Sequence, residues 1–525
     1  MPDYERRPSD LPPELLERIF QLHARSCREP GLDSERLGCS STTNPYAWII
    51  VTHVCRYWRD VALGSALLWS HIVLTRNLDC IKAFLTRSQQ ASLTVVQLRP
   101  NPGCFGERVM PVAPMRLVLA EMNRIRALEL YMKWWIFDDI AEYLAKPAAH
   151  LKSLTLSTPH GLYDCGVVQP VLHLDHKYNG PTLERLSLCA YGFPWWNAAP
   201  FKALKSFHIE KGIPEKPSVA QVVRALQWMP CLTDLSLEDV FGPSPKHLTS
   251  LPAVDDVAVL RQLENIKLSG DIVSCTCLLS SLIFPGTTHI FLDFARKSGS
   301  ADLTLATIPI YKKLTGSLPD TIIDIGSAPG PPIRVNLTRE KSSFLIEGYS
   351  PRGSVPPDAS VSNLAPSVSI RLPPEPSCLE DICRDLPTES IKVLAISDHF
   401  EWRNVAPHLE SAEELELAGW STQEITHLLR HGCDSTIHGE SDYTSPCAVA
   451  FPSLRFLTIS PMDGRCIPDF GKDDDTKVVL EAVNARNRLI TNPIMYEYYG
   501  HFLAGFWTGI RVNQQWHILE KHFSV

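Results

Sequence analysis

A hexad of the form Leu-x-x-Leu-x-Leu, tolerant of other apolar residues, recurs along this chain and restricts its possible folds more than any other feature. It stands at Ile125–Leu130, Leu151–Leu156, Leu183–Leu188, Leu204–Ile209, Leu232–Leu237 and Leu263–Leu268. It returns at Ile391–Ile396, Ala412–Leu417 and Leu454–Ile459. In the first half, subtraction of the starting positions gives spacings of 26, 32, 21, 28 and 31 residues. Apolar residues alternate with polar ones inside each hexad, the pattern of a short strand with one face in a core. The intervals leave room for a return path, and Val219–Trp228 has the helical apolar spacing that suits one. Such a unit cannot bury its apolar face alone and must stack on its neighbours.

The hexads resemble the strand segment of leucine-rich repeats, in degenerate form. The asparagine usual three positions after the last leucine is absent, and Pro159, Tyr191, Val240 and Asp271 stand in those places. The resemblance implies an α/β fold, an irregular leucine-rich-repeat-like solenoid over residues 76–470, with irregular turns and unequal curvature. Another β-rich fold made of alternating strands is the competing reading. From Gly270 to Ser390 the period blurs, although Ile290–Phe294, Ile333–Leu337, Phe344–Ile346 and Val368–Leu372 still alternate like strands. The second and third of these, joined by a charged turn, read as a hairpin. The stretch around 270–390 is either a modified section of the array or a linker between two half-solenoids. Beyond Ile459 come the acidic Asp473–Asp475, a helix-like segment carrying Val479, Leu480 and Val483, and an aromatic tail from Met495 to His522. Residues 471–525 are therefore expected to cap the last repeat.

The N-terminus has a different character. Asp10 is placed to cap a helix whose first turn holds Pro12-Pro13, where a missing N–H costs nothing. Leu15, Ile19 and Leu22 follow at i, i+4 and i+7, flanked by Leu16 and Phe20. A second segment carries Val51, Val54, Cys55, Trp58, Val61 and Ala62 at the same spacing, and Leu67-Leu68-Trp69 lies just beyond. A module of about 60 residues cannot hide so many large apolar side chains by itself. The surplus must face another protein or the rest of the chain.

In order and spacing these segments resemble the F-box family. The matching residues are Leu11-Pro12, Glu14-Leu15-Leu16, Ile19-Phe20, Val54 to Ala62 with its Cys55-Arg56-Tyr57-Trp58-Arg59, and Leu68-Trp69. The likeness covers residues 8–75. It departs from the compact family pattern between Gln21 and Tyr46, where Ser26–Pro45 reads as an inserted loop. What it implies is a small three-helix module that docks on the Skp adaptor subunit of a cullin–RING ubiquitin ligase, with the remainder of the chain selecting a target protein. The adaptor-facing residues it carries over are Leu11, Pro12, Leu15, Leu16, Ile19, Phe20, Val54, Cys55, Trp58 and Leu68. For any one of them, the module's own core is the competing role. A repeat scaffold that delivers nothing to a ligase is the alternative function.

Alternate residues of the hexad strands point away from the core and offer a surface for a target. Thr155, Ser187, His208, Ser236 and Lys267 stand for that surface, joined by Trp134 and Trp195 from segments just beyond strands. Tryptophan is enriched among binding hot spots. The surface is mixed in sign and names no target class.

Composition narrows the field further. The net charge of −8 and a pI near 6.1 argue against nucleic-acid binding, which usually calls for a basic face. No apolar run is long enough for a membrane span, and the polar, charged N-terminus does not read as a signal peptide. The 15 scattered cysteines fit buried thiols in a reducing cytoplasmic or nuclear compartment, with Cys189, Cys231, Cys275 and Cys277 expected inside strands. No phosphate loop, zinc-protease pair, nucleophile elbow or C-x-x-C pair occurs. His431, Cys433, His438 and Cys447 have the residue types of metal ligands but match no common spacing. No cofactor is expected, and no enzymatic activity.

Overall fold

The computed structural model describes residues 11–28, 44–97, 110–146, 148–158, 183–195, 201–211, 216–242, 256–294, 334–340, 343–349, 366, 368–372, 382–384, 390–397, 408–418, 452–460, 495–502, 505–512 and 515–522. The chain divides into two compact units, Met1–Pro217 with Ala225–Leu232, and Ser218–Arg224 with Thr233–Val525. It is a mixed α/β protein with extensive β-sheet and most of its helices toward the N-terminus.

The first unit opens with α1 (Pro13–Arg28), a 3-10 helix (Ala47–His53), α2 (Arg56–Gly64) and α3 (Ala66–Trp69). Pro13 occupies the first helical position, where its fixed φ suits the turn. The Leu15 and Leu16 N–H groups donate to the Pro12 carbonyl at 3.1 and 3.2 Å. Asp10, the expected cap, lies outside the described residues. Helix α1 runs through Arg28, so Ser26, Cys27 and Arg28 are helical and not part of the expected inserted loop; residues 29–43 of that loop lie outside the description. Leu16, Phe20 and Ala24 form the inward stripe of α1 and are at most 1% exposed. The Ser65 hydroxyl, between α2 and α3, donates to the Glu17 carboxylate and ties α1 to this corner.

The core of this helical region is aromatic. Trp48 and Trp69 meet edge to face at 5.0 Å, and Phe84 packs on Trp69 at 5.0 Å. The Trp69 indole N–H donates to the Ala62 carbonyl at 2.8 Å, and the Arg87 guanidinium lies 4.3 Å over the Trp69 ring. Phe84 and Arg87 come from α4 (Leu78–Arg87), beyond the segment that resembles the F-box family.

Strand–helix alternation begins before the first hexad. The strands β1 (His71–Val73), β2 (Leu93–Val96), β3 (Ile125–Tyr131), β4 (Ser153–Ser157), β5 (Arg185–Cys189) and β6 (Ser206–Glu210) pair in parallel in that order. Helix α4 lies between β1 and β2, α5 (Val112–Leu119) between β2 and β3, and α6 (Phe137–Leu144) between β3 and β4. The boundary expected at 75–76 thus falls inside a β1–α4–β2 segment. The Tyr46 hydroxyl accepts a hydrogen bond from the Val73 N–H at 3.0 Å and donates to the Val73 carbonyl, so a helical-region side chain satisfies both Val73 groups on the side of β1 that faces away from β2.

The expected return segment is helix α7 (Val219–Gln227), with Val222, Val223 and Leu226 fully buried. The second unit contains β7 (Asp234–Glu238), β8 (Ala258–Val259), β9 (Asn265–Ser269), α8 (Ile272–Ser280), β10 (Leu282–Ile283) and β11 (His289–Asp293). Strands β8 and β10 form a separate parallel pair. After β11 come β12 (Arg334–Glu340), β13 (Ser343–Tyr349), β14 (Val368–Leu372), β15 (Val393–Ser397), β16 (Glu414–Ala418) and β17 (Phe456–Ser460). The sheet order is β7-β9-β11-β14-β13-β12-β15-β16-β17, parallel except for β13. The hairpin expected between Ile333 and Ile346 is present as β12–β13, and β12 to β14 bridge β11 to β15 within one sheet. The tail forms β18 (Met495–Phe502), parallel to β17, followed by β19 (Gly505–Val512) and β20 (Gln515–His522) in an antiparallel meander. The Val479–Val483 segment lies outside the described residues.

Every hexad contains a strand, and registers match from repeat to repeat. Leu154 faces Leu186, which faces Phe207; Leu415 faces Leu394 and Leu457. The second hexad position carries an alternating charge ladder in both units. Glu184 is 2.6 Å from Lys152 and 3.3 Å from Lys205, and Glu413 is 2.6 Å from Lys392 and 4.0 Å from Arg455. Hydrogen bonds from Lys152 and then Lys205 hold the Glu184 carboxyl below its ordinary range, as the Lys392 bond does for Glu413.

The turns after the strands are more regular than the missing asparagine implies. Ala190, Lys211 and Asp239 directly follow β5, β6 and β7 with φ of 60°, 53° and 54°, and Gly270 follows β9 with φ of 129°. The N–H groups of Ala190 and Asp239 continue the strand ladder to Glu210 and Ser269 at 2.8 and 2.9 Å. A left-handed residue one position earlier does the work expected of the asparagine. Asp271, in one of the asparagine places, instead caps α8 by accepting from the Ser274 N–H at 2.9 Å. Cys275 and Cys277, expected in a strand, are buried in that helix. Cys231 precedes β7 and is half-buried, and only Cys189 of the four lies in a strand.

Candidate functional site

Helix α1 has two apolar stripes, and the second points outward. Leu15, Ile19 and Leu22 are 54, 45 and 52% exposed. Val54 at the start of α2 is 56% exposed, and Cys55 and Pro12 are also exposed. Of the ten residues read as adaptor-facing, Pro12, Leu15, Ile19, Val54 and Cys55 are the most open to a partner, and Leu22 joins them from outside that set. Leu16, Phe20 and Leu68 are at most 1% exposed and belong to the domain's own core, which corrects their expected outward role. They sit one position away from outward residues, and a helix turns about 100° per residue.

The two remaining positions, Leu11 and Trp58, and the exposed Cys55 also have structural roles. Leu11 is half-buried, and its carbonyl accepts from the Tyr57 hydroxyl at 2.7 Å. Cys55 is the N-cap of α2, its sulfur accepting from the Trp58 N–H at 3.4 Å. Trp58 is half-buried against Phe20 with ring centroids 5.1 Å apart, and its indole N–H has no hydrogen-bond partner among the described residues. Ile50 and Leu67, 64 and 59% exposed, were not singled out from the sequence. The signal for both was present in the apolar runs Trp48–Val51 and Leu67–Trp69, but a run does not say which member faces out.

Thr155, Ser187 and His208 are in-register neighbours on β4, β5 and β6, all half-buried. Ser236 and Lys267 are neighbours on β7 and β9 in the second unit. Trp195 is only 4% exposed, stacked edge to face on Phe193 and Phe207 at 4.9 and 5.8 Å, so it is a core residue and not part of a target surface. Trp134 begins a short 3-10 turn, and its side chain lies outside the description. Its neighbour Trp135 is the exposed ring, with the Lys133 ammonium 5.1 Å above it.

On the second unit, the residues missed from the sequence are those of the blurred section. The Arg334 guanidinium grips Glu416 with two bonds of 2.8 and 2.6 Å, crossing β15 where Ala395 leaves space. Arg334 also donates to Asn336 at 3.0 Å, which donates to the Tyr349 hydroxyl at 3.2 Å. Burial first, then the adjacent Glu347 carboxylate, push the Tyr349 hydroxyl above its ordinary range. None of this was legible in a stretch without the hexad period.

Burial pushes the Cys275 and Cys383 thiols up, the latter to about 12, so neither is a nucleophile at neutral pH. Among the described residues no group of three or more His, Cys, Asp or Glu could hold a metal ion. The set His431, Cys433, His438 and Cys447 lies outside them. Among the same residues, no helix is long and apolar enough to cross a membrane.

The helical domain thus turns apolar side chains outward beside its aromatic core. Residues 8–75 match the family model described as F-box-like. The chain thus carries an F-box-like domain at residues 8–75, and the match ends before the first hexad. No curated protein matches it.

Proposed function

We propose that this protein is the substrate-recognition adaptor of a Skp–cullin–F-box ubiquitin ligase, acting in the cytoplasm or nucleus. The exposed stripe Leu15, Ile19 and Leu22, on a domain that matches the F-box family, carries this reading. These residues are already about half-buried, so covering each contributes about 1 kcal/mol. With Ile50, Val54 and Leu67 the gross gain is several kcal/mol, set against the cost of association. Residues 76–470 act as a leucine-rich-repeat-like solenoid that holds a target on its outer strand faces, closed by the 471–525 segment. Catalysis is left to the ligase. This chain supplies proximity, raising the effective concentration of target lysines.

The test uses the full chain. Leu15→Asp with Ile19→Asp is expected to abolish co-purification with the Skp adaptor and a cullin while leaving the melting temperature nearly unchanged, since both side chains point outward. Undiminished co-purification would remove the basis for the ligase reading. Capture of the adaptor without a cullin would favour a scaffold that delivers no substrate.

A further inference from the structure

The outward face of five neighbouring strands in the second unit, β7, β9, β11, β14 and β13, has an unbalanced charge pattern centred on one aromatic ring. Phe291 lies on the middle strand, with the Lys267 ammonium 5.7 Å and the Arg371 guanidinium 5.5 Å from its centroid. Both cations have carboxylate partners: Lys267 is 2.7 Å from Glu238, and Arg371 is 3.2 Å from Asp293. Two further carboxylates have hydrogen bonds only from neutral groups among the described residues. Asp234 on β7 accepts from the Asn265 amide and the Thr233 hydroxyl, both at 2.7 Å. Glu347 on β13 accepts from the Tyr349 hydroxyl at 3.1 Å. Glu347 shares the register of Phe291 through Ser369, and Asp234 sits one outward position off that row. Glu347 is two strands from Phe291, about 10 Å at the usual strand spacing, and Asp234, offset along its strand as well, is about 12 Å away.

We propose that this face takes an extended basic segment of the target protein, laid across the strands, with an apolar residue on Phe291 and a cation about three residues away on each side. Extended chain advances about 3.3 Å per residue, so three residues match the distance from the ring to Glu347 and come within reach of Asp234 for a side chain as long as arginine or lysine. The inference rests on the reading of the strand face as the target-binding side. The occupant follows from charge complementarity. A cation at Asp234 or Glu347 completes a pair, whereas an acidic segment would set like charges against both. The ion pairs beside Phe291 hold the two native cations in place and leave the ring's outer side for an apolar contact.

The experiment is a fluorescence anisotropy titration of the full chain with a fluorescein-labelled peptide, Gly-Arg-Gly-Gly-Leu-Gly-Gly-Arg-Gly, and with its counterpart carrying Asp in place of Arg. Saturable binding of the Arg peptide is expected, with none of the Asp peptide. Asp234→Asn with Glu347→Gln is expected to weaken it roughly three- to tenfold, and Phe291→Ser to weaken it as well. Equal affinity for the two peptides, unchanged affinity in the double variant, or no binding up to millimolar peptide would overturn the proposal. Adaptor capture followed in the same preparations is expected to be indifferent to these substitutions, so failure of this site and failure of the ligase reading are told apart.

Discussion

Tyr46 is the residue that most directly joins the helical domain to the strands. Its hydroxyl satisfies both the N–H and the carbonyl of Val73, while its ring packs on Phe84 at 4.7 Å. Tyr46→Phe keeps the ring and removes both hydrogen bonds, leaving two backbone groups of β1 to find other partners. Loss of about 1–3 kcal/mol is expected, read as a lower urea midpoint at unchanged slope. A variant as stable as the parent would mean that water serves Val73 equally well. The same scale shows why single-residue roles were hard to read from the sequence. Leu15 and Leu16 are chemically identical neighbours, yet one is 54% exposed and the other fully buried. Spacing gives the faces of a helix, but which face meets the core is decided by elements far along the chain, here Trp58 against Phe20 and Tyr57 against Leu11.

At the scale of elements, the turns after the strands carry the regularity that the missing asparagine implied was lost. Ala190, Lys211 and Asp239 accept a left-handed conformation with a Cβ, at a cost of roughly 1 kcal/mol each. Gly270 is different, because φ of 129° lies where side-chain-bearing residues are strained. A Cβ there would meet Asp239 atoms only at ordinary contact distance, so space is not the obstacle. Gly270→Ala is expected to destabilise the chain by about 1–3 kcal/mol through backbone strain alone, measured by chemical denaturation. The nine hexads were legible as strands because period-two alternation of Leu and Ile against polar residues is a strong signal. Strands β1 and β2 were not, being three and four residues long without the leucine pattern. Helix α8 was misread because its sequence, Ile272-Val-Ser-Cys-Thr-Cys-Leu-Leu-Ser280, is apolar on nearly every side. It shows no stripe, and its identity rests on the Asp271 cap. The β12–β13 hairpin was visible because two alternating runs flank a short charged turn.

At the scale of the first unit, the F-box-like domain does not end where its family match ends. Its aromatic core is completed by Phe84, 2% exposed, from a helix beyond residue 75, and β1 pairs with a strand further on still. Truncating Phe84 to alanine is expected to cost about 3–5 kcal/mol and to lower adaptor capture by the full chain, although Phe84 touches no adaptor in the proposed complex. Parallel melting and capture measurements would separate this effect from Leu15→Asp with Ile19→Asp, which should lower capture without lowering stability. Capture unaffected by Phe84→Ala would show that the outward stripe of α1 holds its shape without that core. The pairing of Tyr46 with Val73 has one more consequence. A row of bare peptide groups at the end of a sheet is a template on which another copy of the same chain can add its own strand, and repeated addition makes fibres. By filling the Val73 groups with a phenol from its own helical domain, the protein takes one residue of β1 out of that template, so the side chain that ties the domain to the strand also leaves less of the strand for a second copy to pair with.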